Sequence, residues 1–176
     1  SNMARLVPQV PGMTYAHDDS DLYITFFAES STEVDFGGTQ VKVQQKTAYP
    51  NDGEISVAIH PAKPTRFRLR LRIPTWTQGR FVPGDLYRYA DSIDMPMELR
   101  VNGDRFEAPI EKGFASIERE WQAGDRVVLN LPMPIRVTEC HPAVQANQKR
   151  IAFTRGPFVL CAEGLDNGGA TQRIFF

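Results

Sequence analysis

The sequence predicts an all-β protein, an antiparallel β-sandwich resembling a jelly roll, with about ten short strands and little helix. Three observations support this. Short runs of alternating apolar and polar residues follow one another from Asp21 to Glu163. Turn residues separate these runs at regular intervals, and between the runs there is no apolar pattern long enough for a crossover helix.

The clearest strand is Pro64–Trp76, which reads P-T-R-F-R-L-R-L-R-I-P-T-W. Arginines alternate with apolar residues at a period of two, so one face should pack on a core and the other should carry guanidinium groups. The two sets are Arg66, Arg68, Arg70 and Arg72, and Phe67, Leu69, Leu71 and Ile73. The arginine face either binds phosphates or an acidic polysaccharide, or pairs with carboxylates on neighbouring strands. The net charge of −1 favours pairing and argues against a nucleic-acid partner.

The first 17 residues differ from the rest and are interpreted as a leader, resembling the tail of a preceding element. Met3–Val7 is compatible with a helical turn, and Pro8, Pro11 and Gly12 should stop any helix soon afterwards. Ser1-Asn2 is equally compatible with a cloning scar and with native sequence. The remaining residues, 18–176, are predicted to form one β-sandwich domain. The chain has no apolar run of membrane-spanning length, so we expect no membrane partner, while periplasmic, extracellular and cytoplasmic locations all stay open.

The other predicted strands are separated by recognisable turns. Gly37-Gly38 and Asn102-Gly103 each predict a two-residue hairpin, and Asn51-Asp52-Gly53 and Gln122–Asp125 predict further turns. The strand-like runs beyond the arginine strand are 22–26, 34–36, 40–43, 55–59, 99–101, 104–106, 115–121, 127–131, 135–138, 150–154 and 157–163.

Residues 79–97 interrupt this rhythm and predict a long insertion loop, with a helical turn over Leu86–Tyr89. Its aromatic residues are Phe81, Tyr87 and Tyr89. They either stack on a sugar ring or tuck the loop onto the sheet, and tucking is favoured. These three residues are the candidate glycan contacts.

No catalytic, cofactor-binding or metal-binding residue is assigned from the sequence. The histidines are far apart, and Asp18, Asp19 and Asp21 lack the spacing of a calcium loop. Cys140 and Cys161 are expected to be two buried free thiols, although a disulfide stays open. The two tryptophans, Trp76 and Trp121, either form sugar platforms or belong to the core, and the core is favoured.

Several motifs in a fixed order carry a family resemblance. They are Ala48–Gly53 (A-Y-P-N-D-G), Leu71–Trp76 (L-R-I-P-T-W), Val101–Gly103 (V-N-G), Gly113-Phe114 with Trp121–Asp125 (W-Q-A-G-D), Leu131–Met133 (L-P-M), and Arg155–Phe158 (R-G-P-F) with Glu163 and Asp166-Asn167. Together they resemble glycoside hydrolase family 127, the β-L-arabinofuranosidase-like proteins, over nearly the whole chain.

The resemblance implies that catalysis belongs to a preceding (α/α)6 barrel, where a cysteine nucleophile lies beside a zinc ion. Asn2–Arg5 resembles the continuation of that family's Cys-Cys-Pro segment, so the nucleophile, zinc ligands and acid–base glutamate are expected upstream, and no cofactor is expected in this chain. The expected function is a non-catalytic accessory domain that packs on the barrel and shapes it. The alternative is an independent carbohydrate-binding module for a plant-type glycan. Residues 1–17 and 174–176 should leave an apolar surface, which favours self-association as a dimer.

Overall fold

The computed structural model describes residues 2–169, which form fifteen strands, one short α-helix and four 3-10 helices. The strands are β1 Tyr15–His17, β2 Asp21–Ile24, β3 Ser30–Phe36, β4 Thr39–Thr47, β5 Glu54–Pro61, β6 Thr65–Arg72, β7 Tyr87–Tyr89, β8 Glu98–Val101, β9 Asp104–Arg105, β10 Ile110–Glu111, β11 Phe114–Trp121, β12 Asp125–Asn130, β13 Ile135–Cys140, β14 Ile151–Arg155 and β15 Phe158–Leu160. The helices are α1 Asn2–Leu6 and the 3-10 helices Val7–Met13, Thr75–Gln78, Gln145–Asn147 and Leu165–Asn167. No helix within residues 2–169 is long and apolar enough to cross a membrane.

Two large sheets form the sandwich. Sheet A has the strand order β1-β2-β6-β11-β10, and sheet B has the order β3-β4-β5-β12-β8-β9. Their inner faces share one apolar core, in which the rings of Phe36 and Phe67 stack with centroids 4.5 Å apart and Trp121 lies beside Phe67. The predicted all-β sandwich is confirmed.

The arginine strand β6 lies at the centre of sheet A, and Phe67, Leu69 and Leu71 on its apolar face are buried as predicted. Its arginine face is paired with carboxylates. Glu118 lies 3.0 Å from both Arg66 and Arg68, and Asp21 lies 2.9 Å from Arg70. The pairing interpretation is therefore confirmed.

Two features of this strand differ from the prediction. Sheet A is mixed rather than purely antiparallel, because β2 pairs with β6 in parallel, with Asp21 opposite Arg68. The arginine face is also not uniformly exposed. The side chain of Arg70 is only 14% exposed, whereas that of Arg66 is 68% exposed. The difference arises because Arg70 contacts Asp21, Ser116 and the ring of Tyr23 on both neighbouring strands.

Both predicted two-residue hairpins form. Gly37 and Gly38 connect β3 to β4 with positive φ angles, and Asn102 and Gly103 connect β8 to β9 in the same way. Gly53 has a different role. A Cβ atom there would collide with the carbonyl oxygen of Leu131, so only glycine permits this close approach.

A third sheet, sheet C, was not anticipated as a separate unit. Its order is β15-β14-β13-β7, and all its pairs are antiparallel. Strand β7 comes from the predicted insertion loop, so the helical turn expected over Leu86–Tyr89 is wrong. Tyr87 and Tyr89 pair instead with Cys140 and Thr138. Local sequence favoured neither state strongly, and a partner about fifty residues away decided the outcome.

The leader begins with α1 and continues as the 3-10 helix Val7–Met13, which passes through Pro8 and Pro11. The expected helical turn is present. The α-helix ends before the prolines as expected, but the chain continues through them as a 3-10 helix. Residues 15–17 then form β1, an edge strand that pairs with β2. The boundary between leader and domain near residue 17 stays a prediction. The apolar end predicted at 174–176 lies outside the described residues.

The two cysteines are free, but the expectation that both are buried is wrong. Cys140 is half-buried and Cys161 is exposed. Cys161 follows β15, an edge strand of sheet C, and so lies away from the sandwich core. The tryptophans follow the core interpretation. Trp121 is fully buried and donates its indole N–H to the carbonyl of Phe67 at 3.0 Å, and Trp76 packs against the core from its rim.

The unequal burial of the arginine face gives a testable difference. We expect Arg70→Ser to lower the free energy of unfolding by about 1.5–3 kcal/mol, because it removes a charged hydrogen bond from the nearly buried Asp21 carboxylate. Arg66→Ser, on the same face of the same strand, should cost about 0–1 kcal/mol, as exposed ion pairs do. Urea denaturation of the two variants measures both values. Equal losses would contradict this account of the arginine face.

Candidate functional site

A cleft of about 490 Å³ lies where the sandwich meets sheet C. Its lining comes from four segments: residues 76–79 in and just after the 3-10 helix that follows β6, residues 88, 89 and 91–95 of the insertion, the linker residues Pro132 and Pro134, and sheet C. Sheet C contributes Arg136, Thr154 and the neighbouring Gly156. The fold forms the cleft because the insertion leaves the sandwich, pairs with β13 as β7, and returns to the sandwich at β8.

An ion pair closes one side of the cleft. Arg136 donates from Nε to the Asp91 carboxylate at 2.8 Å, and one of its terminal nitrogens lies 2.6 Å from the same oxygen. Both side chains are largely buried, at 12% and 23% exposure. The other carboxylate oxygen of Asp91 accepts the backbone N–H of Val137 at 3.2 Å. This pair fastens the insertion to sheet C.

The surroundings of Asp91 favour its charged form. Burial alone would raise its pKa, but hydrogen bonds from Arg136 and from the backbone N–H groups of Ile93 and Val137 outweigh it, so the pKa lies below the usual value of 3.8. The Arg136 guanidinium also lies over the ring of Tyr89, 3.6 Å from its centroid. Burial raises the pKa of Tyr89, and the charge of Arg136 opposes that rise only in part.

The three candidate glycan contacts do not share one surface. Tyr89 lines the cleft. Tyr87 lines a separate concavity of about 260 Å³ beside His141 and Pro142, and its hydroxyl accepts a hydrogen bond from Asn147 at 3.1 Å. Phe81 lies against Tyr89, with ring centroids 6.2 Å apart. All three are half-buried, and glycan contact by them stays a prediction.

Sequence reasoning singled out Tyr89 and Trp76 but missed Asp91, Arg136 and Thr154. Nothing in the local pattern marks the ion pair, because its partners are 45 residues apart in the chain. One signal was available. Pro132 and Pro134 interrupt the strand pattern just where the chain leaves the sandwich, and such a break indicates a junction.

A second concavity, of about 790 Å³, lies on the outer face of sheet B. It is lined largely by charged and polar side chains, and Glu98 pairs there with Arg100 at 2.5 Å. No aromatic side chain is among its lining residues, so the cleft beside Trp76 is the better candidate for binding a ring-shaped ligand.

The acidic turn that contains Asp18, Asp19 and Asp21 has a structural role. Asp18 Oδ1 accepts the backbone N–H groups of Ser20 and Asp21 at 2.9 and 2.8 Å, and these hydrogen bonds lower the pKa of Asp18. Asp21 turns instead toward the arginines. Over the described part of the chain, no three or more His, Cys, Asp or Glu residues are grouped so that they could hold a metal ion.

The chain matches two models of one family. The model described as the β-L-arabinofuranosidase, GH127 middle domain matches residues 21–133, and the model described as the glycoside hydrolase family 127 C-terminal domain matches residues 135–176. A non-reducing end β-L-arabinofuranosidase from Bifidobacterium longum subsp. longum is 28% identical, over 96% of this chain and 24% of that protein.

Two solved structures are similar in the same way. A GH127 β-arabinofuranosidase superposes with a TM-score of 0.88 at 35% identity, over 94% of this chain and 26% of that one. A GH127 β-L-arabinofuranosidase from Geobacillus stearothermophilus T6 gives a TM-score of 0.81 at 34% identity, over 95% and 24% respectively. The chain thus spans about a quarter of the length of these relatives.

The Asp91–Arg136 pair should make the attachment of the insertion dependent on pH. The folded state lowers the pKa of Asp91, so the stabilisation is fully present above the ordinary value of 3.8 and is lost as the pH falls through the folded value. At neutral pH, Asp91→Asn should cost about 1–2 kcal/mol, because the charged acceptor is lost. Thermal unfolding between neutral pH and pH 3 measures the difference between variant and parent, which should shrink toward zero at the acid end.

The matched control for this experiment is the variant Asp94→Asn, which removes an exposed carboxylate from the same insertion. It should leave the unfolding temperature unchanged at every pH. If the difference in unfolding temperature between Asp91→Asn and the parent stays constant down to pH 3, the charge of Asp91 does not hold the insertion.

Proposed function

Because the chain belongs to glycoside hydrolase family 127, we propose that it is a non-catalytic β-sandwich region of a β-L-arabinofuranosidase, which packs on a catalytic barrel and shapes it. The observation that carries this proposal is the pair of matches to the middle and C-terminal domains, in a chain about a quarter as long as its relatives. The catalytic barrel, the arabinofuranosyl substrate and the parent activity are all part of the proposal.

The use of the buried carboxylates supports a structural role. Asp21 is held by arginines of β6, and Asp125 accepts hydrogen bonds from Asn102 at 2.8 Å and from the N–H of Gln122 at 2.9 Å. Asp91 is held by Arg136, with a lowered pKa. A general acid needs a pKa raised toward the working pH, which is the opposite of the shift at Asp91. Asp21 and Asp125 are occupied by hydrogen bonds within the fold, so all three carboxylates suit fold stabilisation better than acid catalysis.

The residues described do not fit the zinc site that the family resemblance implies for the barrel. The Cys140 thiol donates to the carbonyl of Asn147 at 3.2 Å, and Cys161 is exposed beyond β15. Neither belongs to a set of three or more possible ligands in the described part of the chain. The proposal accordingly places zinc in the partner barrel, and the zinc content of the purified chain tests it.

Two exposed apolar surfaces support docking on another domain. The first is the leader surface, on α1 and the following 3-10 helix, where the apolar side chains are 41–65% exposed: Met3, Leu6, Val7, Val10 and Met13. The second is the outer face of sheet C. The strand register places Ile135, Ile151, Phe158 and Leu160 together on that face. Exposed apolar patches of this kind usually mark a surface that a partner covers.

We expect the purified chain on its own to show no hydrolysis of aryl β-L-arabinofuranosides and no stoichiometric zinc. The physical reason is that the buried carboxylates Asp21, Asp91 and Asp125 are held by the fold, and that within residues 2–169 neither thiol belongs to a group of possible metal ligands. A chromogenic assay and elemental analysis test this directly. Turnover that survives further purification, or one zinc per chain, would overturn the proposal.

The docking surface can be tested with the double variant Leu6→Ser/Val10→Ser. In a protein that carries the barrel on the same chain, it should lower the unfolding temperature by about 1–2 °C, because about 1–3 kcal/mol of apolar burial is lost from a protein roughly four times as long as this chain. The chain on its own should keep its unfolding temperature, since both side chains are exposed there. Ile110→Ser at the opposite edge of sheet A is the matched control and should change neither protein.

The chain on its own should also self-associate through the same leader surface, and light scattering should give a dimer mass that the double variant reduces. If the chain on its own is a monomer and binds no hydrophobic dye, the leader surface is not a docking surface. Equal destabilisation of both proteins by the double variant would show that Leu6 and Val10 support the sandwich itself.

A further inference from the structure

The cleft between the sandwich and sheet C combines an apolar and a polar lining. Trp76, Ile93, Met95 and the two linker prolines supply carbon surface, and Ile93 and Met95 are exposed in the present structure. Arg136, Asp91 and Thr154 supply polar groups. A sugar ring carries apolar C–H faces and hydroxyl edges, so it can use both kinds of lining at once.

Part of the polar lining has unused hydrogen-bonding capacity. Arg136 engages Asp91 through Nε and one terminal nitrogen, while its Nη1 makes no hydrogen bond within the described residues. A guanidinium nitrogen of this kind carries two N–H donors. The Thr154 hydroxyl is buried, at 1% exposure, and interacts with the Tyr89 hydroxyl beside it, but within the described residues it makes no hydrogen bond of good geometry. A buried hydroxyl left in this state is costly, and a ligand hydroxyl in the cleft would remove that cost.

The charges around the cleft favour a neutral ligand. Two arginines, Arg88 and Arg136, are balanced by Asp91 and Asp94, and the more buried arginine is already neutralised by its partner. A site for phosphate or carboxylate would leave its guanidinium fork open toward the ligand. Hydroxyl groups both donate and accept, which matches a lining of mixed donors and acceptors.

The position and size of the cleft agree with a ligand site. It lies at the junction between the two regions that match separate family domains, since one match ends at residue 133 and the other begins at 135. Ligand sites prefer such junctions, and a volume of about 490 Å³ is enough for a mono- or disaccharide.

We infer that this cleft is a saccharide site, which binds a neutral pentose or a short oligosaccharide between the sandwich and sheet C. The inference rests on the proposed function only for the choice of an arabinofuranosyl sugar. Bound there, the sugar would contact the insertion, the linker and sheet C together, so its binding should also stiffen the junction.

The test is a titration of the purified chain with methyl β-L-arabinofuranoside, followed by calorimetry and by tryptophan fluorescence. Of the two tryptophans, Trp76 lines the cleft and Trp121 is buried in the core, so a fluorescence change reports on the cleft. For a ligand of this size we expect a Kd of about 1–10 mM. Inorganic phosphate at the same concentrations should neither bind nor displace the sugar.

Two variants separate binding from folding. Ser92→Phe fills the cleft from an exposed position and should weaken binding at least about tenfold, while Ser31→Phe on β3 is the matched control and should bind normally. Thr154→Val removes the unsatisfied hydroxyl at constant volume. It should weaken sugar binding while the unfolding temperature stays the same or rises, which is opposite to the loss expected if the hydroxyl only supports the fold.

The inference is overturned if the sugar does not bind, if Ser92→Phe and Thr154→Val bind it as the parent does, or if phosphate binds in its place. None of these outcomes bears on the accessory role, which is tested by the turnover, zinc and docking measurements. If the chain instead hydrolyses arabinofuranosides or holds zinc, the proposed function fails. The saccharide site is still tested by the Ser92→Phe and Thr154→Val variants.

Discussion

The Asp21 carboxylate is the constraint around which sheet A is organised. It lies at the start of β2, is 9% exposed, and accepts hydrogen bonds from Arg68 and Arg70 of β6. The same strand buries Leu69 and Leu71 on its other face. The ion pairs on one face of β6 and the buried leucines on the other therefore act on the same strand. Glu118 on β11 provides the matching acceptor on the far side of the strand.

This arrangement fixes register more than it adds stability. A partly buried ion pair costs desolvation energy that offsets much of its attraction. A slip of β2 by one residue, however, would move Asp21 from the arginine face to the leucine face. The carboxylate would then be buried in the core without a partner. The parallel pairing of β2 with β6 is therefore specified by one acidic residue and two arginines.

How much of the structure could be predicted depended on how local its causes are. The hairpins at Gly37-Gly38 and Asn102-Gly103 and the two faces of β6 follow from neighbouring residues, and all were correct. Sheet C was missed because β7 becomes a strand only through pairing with β13. The burial of Arg70 and the exposure of Cys161 likewise depend on which strands become neighbours or edges.

The candidate site shows the same limit. Tyr89 could be named as a candidate from the sequence because an aromatic residue in a long insertion is a typical ligand contact. Asp91 and Arg136 are common residue types, and they become part of the site only through a contact between positions 45 residues apart. The insertion matters structurally because it belongs to both halves of the molecule: it leaves the sandwich after Trp76 and supplies an edge strand to sheet C. The junction is thus built from a segment anchored at both sides, which gives the cleft a defined shape.

The long-range pairing of β6 has a consequence for how the protein is made. Arg70 pairs with Asp21, which lies 49 residues before it, and with Ser116, which lies 46 residues after it. A ribosome must therefore complete more than forty further residues before sheet A can close. During that time Phe67, Leu69 and Leu71 lack their final neighbours, and an apolar strand of this length is prone to aggregate. The arginine at every second position interrupts that tendency with like charges, which act as gatekeepers. The same residues that later fix the sheet thus keep the nascent strand soluble.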